Sequence, residues 1–224
     1  YFIIGDPNQT KTTMCYNTKL TRKASEIEKR FVADMAVKGE LQPNEQISGF
    51  SFPKTPIITN AQPKSVQFYH WGLIPSFADD SKIRAHTLNA RIETILDKPS
   101  YAESAQKRCL VIANGFYEWT WHDSKGKNKE KFLITIPGEE LFAFAGIYSS
   151  WINPNTADVV DSYSIVTTEA NELMAEIHNI KKRMPIILTE QNEQDWLAGD
   201  DFENFKKPEI ELVAISQESQ QSLF

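Results

Sequence analysis

Residues 108–121 read RCLVIANGFYEWTW, a run that is apolar or aromatic at almost every position. Such a segment has to be buried, yet it is shorter than the roughly 18 apolar residues that a membrane-spanning helix needs. Its β-branched and aromatic content makes it a core strand, which requires other strands to pair with it. Further strand-like runs lie at 66–74, 131–136, 141–149, 162–168 and 209–215, and the polar stretch 122–130 with Gly126 reads as a hairpin turn.

Helical spacing appears three times. Ala24, Ile27, Phe31, Val32 and Met35 place an amphipathic helix over 21–38, capped by Thr21 and ended by Gly39. Shorter helices are expected over 169–178 and 190–198, the latter between Thr189 as cap and Gly199 as stop. Pro43, Pro53, Pro56 and Pro63 make 43–63 an irregular surface connector. A chain of 224 residues, 41% of them hydrophobic, is long enough for one substantial core. The fold class expected is α+β, with a mainly antiparallel, curved, barrel-like sheet and a few flanking helices in a single domain over 14–224. Residues 1–13 have neither a basic nor an apolar signal region and read as a leader, with Met14 as the start.

The net charge of −6 gives no global case for nucleic acid, so any DNA site has to be a local basic patch. Two cysteines in dissimilar settings, Cys15 and Cys109, argue against a disulfide framework and fit a reducing cytoplasm. The sequence has no phosphate-binding GxxxxGK[ST] loop, GxGxxG, HExxH, GxSxG or CxxC, so nucleotide, dinucleotide and zinc-protease readings lose support.

What remains is a set of polar residues in unusual places. Strand alternation puts Glu118 on the face of Phe116 and Thr120, where an apolar setting would raise its pKa and suit a general acid. The other readings are a solvent-facing strand or an ion pair with an arginine. His178 closes a helical run and is either an acid–base group or a surface histidine satisfied by the helix dipole. Lys181, Lys182 and Arg183 are a candidate phosphate site or a solvated face. Asn89 and Arg91 lie in a polar strip that a helix start would explain, while Arg91 and Trp71 are alternatively a phosphate contact and a base-stacking ring. Cys109, inside an apolar run, reads as structural. Cys15 reads as a small buried hydrophobe unless Met14 is removed. In that case it becomes a 1,2-aminothiol whose amine, with a pKa of about 7.7–8.0, can condense with an aldehyde.

Taken in order, Met14-Cys15, WGLIP at 71–75, NAR at 89–91, GFYEW at 115–119 and His178 with Arg183-Met184-Pro185 closely resemble the SOS response-associated peptidase (SRAP) family. The resemblance implies recognition of abasic sites in single-stranded DNA, often at a junction with duplex; a monomer needing no cofactor or metal is expected. It implies that Cys15 forms a thiazolidine crosslink with the ring-opened sugar, and that self-processing frees this cysteine. By the same carry-over Asn89 orients the amine, Glu118 and His178 are the acid–base pair, and Trp71 and Arg91 hold the DNA. The runner-up is a cysteine peptidase or amidohydrolase using Cys15 and His178. The chain departs from the family pattern at Tyr16-Asn17, where Gly-Arg is usual, and in the longer spacing from His178 to Arg183.

Overall fold

The 108–121 run breaks at Asn114. In the computed structural model, which describes residues 16–217 apart from 126 and 139, it forms two strands in different sheets. Asn114 accepts a hydrogen bond from the backbone N–H of Thr21 at 3.1 Å and donates to the Thr21 hydroxyl at 3.0 Å. A polar side chain bound sideways in this way ends one strand, and Gly115 starts the next where a Cβ would lie 2.9 Å from Leu133.

The N-terminal half contributes strands β1 (Asn17–Leu20), β2 (Asp34–Met35), β3 (Asn44–Ser48), β4 (Lys54–Thr59), β5 (Ser65–Trp71) and β6 (Asn89–Arg91), with helices α1 (Ala24–Phe31) and α2 (Pro99–Ala102). Then come β7 (Arg108–Ala113), β8 (Gly115–Trp121), β9 (Lys129–Thr135), β10 (Phe142–Ile152) and β11 (Val159–Glu169). The chain ends on α3 (Glu172–Ile177), β12 (Arg183–Pro185), β13 (Ile187–Leu188), α4 (Glu190–Ala198) and β14 (Val213–Ser216).

Strands β11, β10, β7, β4 and β5 pair in that order, and β5 returns to pair with β11, closing a barrel. The other sheet runs β14-β9-β8-β1-β3 and is antiparallel throughout. Among the described residues, parallel pairing occurs at β5–β11, β6–β11 and β2–β5. The fold is therefore α+β with a mainly antiparallel, barrel-like sheet, as the strand content predicts. No helix among the described residues is long and apolar enough to cross a membrane.

Alternation along β7 and β10 divides the core in two. Leu110, Ile112, Ala143, Ala145 and Ile147 join one apolar cluster, and Cys109, Val111, Ala113, Phe142 and Phe144 join the other. A strand covered on both faces has no polar side, which is why these stretches read as unbroken apolar runs. Helix α4 covers one face, its Trp196 indole N–H directed at the carbonyls of Cys109 (3.1 Å) and Gly146 (3.3 Å). The fully buried Arg108 guanidinium lies between Trp196 and Phe202, 4.6 and 4.2 Å from their ring centres. A Cβ at Gly146 would lie 2.7 Å from the Cys109 sulfur and 2.8 Å from Val111. Gly146→Ala is therefore expected to cost about 1–3 kcal/mol in denaturant titrations, part of it recovered in the Gly146→Ala/Cys109→Ala double variant. Strict additivity of the two changes would refute the contact.

Two expectations fail. Helix α1 starts after Lys23, whose N–H donates to Glu26 at 2.7 Å, and stops at Phe31 rather than at Gly39. Val32 turns left-handed (φ 51°) so that Asp34 and Ala36 can bond the edge of β5 through the carbonyls of Lys64 and Val66. Those bonds and the burial of Ala33 offset an unfavourable backbone at a β-branched residue. The connector at 43–63 is likewise not a loop throughout, because β4 lies between β5 and β7. Pro56 is tolerated there because the pairing with β7 begins only at Ile57, so its missing N–H leaves no ladder bond unmade. By contrast, the hairpin joining β8 to β9 and the Thr189 and Gly199 boundaries of α4 fall where the sequence puts them.

Candidate functional site

Glu118 does share a face with Phe116, and both are buried, at 1% and 0% exposure. The opposite face of β8 carries Tyr117, Trp119 and Trp121, covered by lysines of β9. Lys131 Nζ sits 4.1 Å from the Tyr117 ring centre, and Lys129 Nζ 4.3 Å from that of Trp121. Strand β8 is fixed to the end of α3 at three points. The Thr120 hydroxyl donates to the carbonyl of Ile177 at 3.1 Å, while the Asn179 amide accepts from the Trp121 N–H (3.2 Å) and donates to the Trp121 carbonyl (2.9 Å). These bonds place His178 beside the strand of Glu118.

His178 is itself buried, with Nδ1 2.9 Å from the carbonyl oxygen of Arg183. The Arg183 N–H also lies 3.3 Å from the same atom, but a carbonyl can only accept, so the closer contact assigns the proton to Nδ1. Nε2 is then the acceptor atom of the ring. The reading of His178 as a surface histidine is thus replaced by a buried, oriented one.

Asn89 is not at a helix start. It belongs to β6, which pairs with β11 in parallel, Asn89 opposite Ile165 and Arg91 opposite Thr167. Its carbonyl accepts from the Tyr101 phenol at 2.9 Å. The chain just before it is held by Trp71, whose indole N–H donates to the Leu88 carbonyl at 2.9 Å. Trp71 has no exposed surface and lies near-parallel to the ring of Tyr163, so it anchors the chain one residue before Asn89 and does not present a face to a base.

The basic residues divide. Arg91 and Lys182 are exposed, Lys182 in a left-handed turn at φ 49°. Lys181 is half-buried, and its pKa is lowered by that burial and by the charge of Arg91. A lysine held beside a second cation in this way makes a favourable place for an anion. Arg183 departs from the sequence reading. It is buried and donates to both carboxylate oxygens of Glu93 at 2.8 Å, so its guanidinium is already engaged inside the protein.

Cys15 and residues 1–13 lie outside the described residues. The adjacent Tyr16 has its carbonyl bonded to the Gly49 N–H (2.8 Å) and its ring 4.6 Å from that of Phe50. Tyr16 also acts electrostatically on Tyr101, the partner of Asn89, whose phenol is pushed up to about 12, chiefly by burial. Tyr16 packs on the apolar cluster that contains Trp71, Leu88, Phe116, Ile177 and Met184. The neighbours of Asn89, Glu118 and His178 thus share one core with the residue bonded to Cys15. Cys109, by contrast, is buried and its thiol is pushed well above the ordinary range, so it stays protonated. Asn179, Tyr101 and Glu93 complete the arrangement. Sequence gave no role to Tyr101 or Asn179, whose contacts span 12 and 58 positions. Among the described residues no group of three His, Cys, Asp or Glu could hold a metal ion.

A family model described as SOS response associated peptidase (SRAP) matches residues 14–221. Abasic site processing protein YoqW of Bacillus subtilis is 37% identical over 186 residues, covering 82% of this chain and 80% of that protein. Abasic site processing protein HMCES of Xenopus tropicalis is 33% identical over 150 residues, 57% of this chain and 43% of its own length. A crystal structure of a Bacteroides thetaiotaomicron protein superposes with a TM-score of 0.83 at 34% identity, over 90% of this chain and 91% of that one.

Proposed function

Since this chain belongs to the SOS response-associated peptidase family, we propose that it processes abasic sites in single-stranded DNA by bonding to them covalently through Cys15. The observation that carries this reading is that the buried Asn89, Glu118 and His178 each adjoin, in the chain or on the same strand face, a member of one apolar cluster (Leu88, Phe116 and Ile177) against which Tyr16, the residue next to Cys15, is packed. Once Cys15 is the first residue, its amine adds to the ring-opened sugar aldehyde to give a carbinolamine. Loss of water gives an imine, and the thiol then adds to the imine carbon while its proton passes to nitrogen. The thiazolidine so formed holds one protein and one DNA strand less one water, and neither oxidant nor reductant is needed.

Each step moves a proton. Glu118 protonates the sugar ring oxygen and the departing hydroxyl, and Nε2 of His178 takes protons from the attacking groups. Asn89 orients the amine, with Trp71 fixing the adjoining Leu88. Arg91, Lys181 and Lys182 hold flanking phosphates, giving an acidic chain a local cationic footing for DNA. The family description, a peptidase, supports self-processing at the bond before Cys15 with His178 as base.

The test is to incubate a protein beginning at Cys15 with abasic and intact single strands and to weigh the products after denaturation. An adduct is expected with the abasic strand alone, at the summed mass less one water. A purely reversible complex would refute covalent capture.

A further inference from the structure

Arg183 is the one member of the basic cluster turned inward, and its side chain adds bonds to a connection that the sheet makes through β11, with which both β6 and β12 pair. NH1 and NH2 donate to the two oxygens of Glu93 at 2.8 Å, and NH2 also donates to the Thr167 carbonyl at 2.8 Å. The Thr167 hydroxyl donates in turn to the Ala90 carbonyl at 3.3 Å, between Asn89 and Arg91. On its other side, the main-chain carbonyl of Arg183 receives His178 Nδ1 at 2.9 Å. The buried Arg183 therefore ties the strand of Asn89 to the ring of His178.

We propose that Glu93 and Arg183 are positioning residues, holding His178 in its Nδ1–H tautomer at a set distance from Asn89 and leaving the DNA phosphates to other cations. Reference to a reaction rests on the function proposed above. The planar fork of arginine meets both oxygens of one carboxylate and leaves an N–H for the Thr167 carbonyl, a geometry that a lysine ammonium cannot reproduce. An ion pair with one partner a third exposed adds little net stability, so the effect we assign to it is the specification of one arrangement. Burial raises the Glu93 carboxyl, but the hydrogen bonds from Arg183 and from its own backbone N–H, with the charges of Arg183 and Arg91, outweigh it, and the net shift is downward. The pair is consequently intact above the ordinary carboxylate range and is lost only on acidification below it.

Glu93→Gln and Arg183→Lys are to be compared with the parent protein by nitrogen NMR of the His178 ring, by crosslinking rate, and by affinity for a strand carrying a non-opening abasic analogue across a salt series. The parent should show a single Nδ1-protonated neutral tautomer. Both variants should show mixed tautomers and crosslink roughly 10-fold slower or more, with affinity and salt slope unchanged. Unchanged ring nitrogens in Glu93→Gln would overturn the proposal. So would a lower affinity and a salt slope reduced by about one charge in a folded Arg183→Gln, since both mark a phosphate contact. If Arg183→Lys does not fold, Glu93→Gln still decides, because that carboxylate is 33% exposed. If the parent crosslinks no strand, the proposed function fails, and the ring spectra still decide the positioning role.

Discussion

A protein beginning at Cys15 should convert abasic single strands to a heat-stable adduct, and the same chain retaining residues 1–14 should form none. The difference is covalent and independent of the fold. With residues attached ahead of it, the nitrogen of Cys15 is a planar amide whose lone pair is delocalised and does not attack an aldehyde. The thiol by itself gives a hemithioacetal that reverses on dilution or heating. Freed, the same nitrogen is an α-amine with a pKa of about 7.7–8.0, so a useful fraction is neutral near physiological pH. Denaturing gels and intact mass on the two forms read the outcome directly. Cys15→Ala in the trimmed form should also give no adduct while keeping weak single-strand binding, because the proposed phosphate contacts rest on other residues. Equal crosslinking by a protein verified to retain the full leader would dismiss the aminothiol mechanism in favour of an internal cysteine nucleophile.

Removing either proposed proton-transfer group should slow adduct formation by roughly 10²-fold in Glu118→Gln and in His178→Ala, with affinity for a non-opening abasic analogue little changed. Glutamine keeps the shape of Glu118 in a site with 1% exposure but cannot exchange a proton. Alanine at 178 removes Nε2 and leaves the Arg183 carbonyl without its Nδ1–H donor, so that variant should also lose some stability. If the two groups serve the same step, the double variant should be hardly slower than the worse single one. A wild-type rate in Glu118→Gln would remove Glu118 from the chemistry and leave it a buried structural carboxylate.

The local chemistry of the chain was sufficient for several of these features. Alternation over 115–121 puts Glu118 with Phe116, because in a strand successive side chains always take opposite faces. The polar 122–130 stretch between two apolar runs marks a hairpin, and Thr189 and Gly199 bound α4 through caps that act within one helical turn. The unbroken apolar character of β7 and β10 announces strands covered on both sides. In each case the determining interaction lies within a few residues.

Tertiary structure decided the remainder, because there the determining partner is distant in sequence. Met35 keeps the helical spacing of α1, yet the edge of β5 takes the backbone at Asp34 and Ala36. Pro56 resembles a loop residue until the register of β7 shows which N–H the sheet can do without. Trp71, exposed or buried by any local criterion, is committed to the core by the Leu88 carbonyl 17 positions away. Arg183 sits in a basic run that reads as a surface patch, and only Glu93, 90 positions earlier, turns it inward. A cation's role depends on which carboxylate folding brings within hydrogen-bond distance, whereas the chemistry open to Glu118, His178 and a freed Cys15 is inherent in the residues themselves.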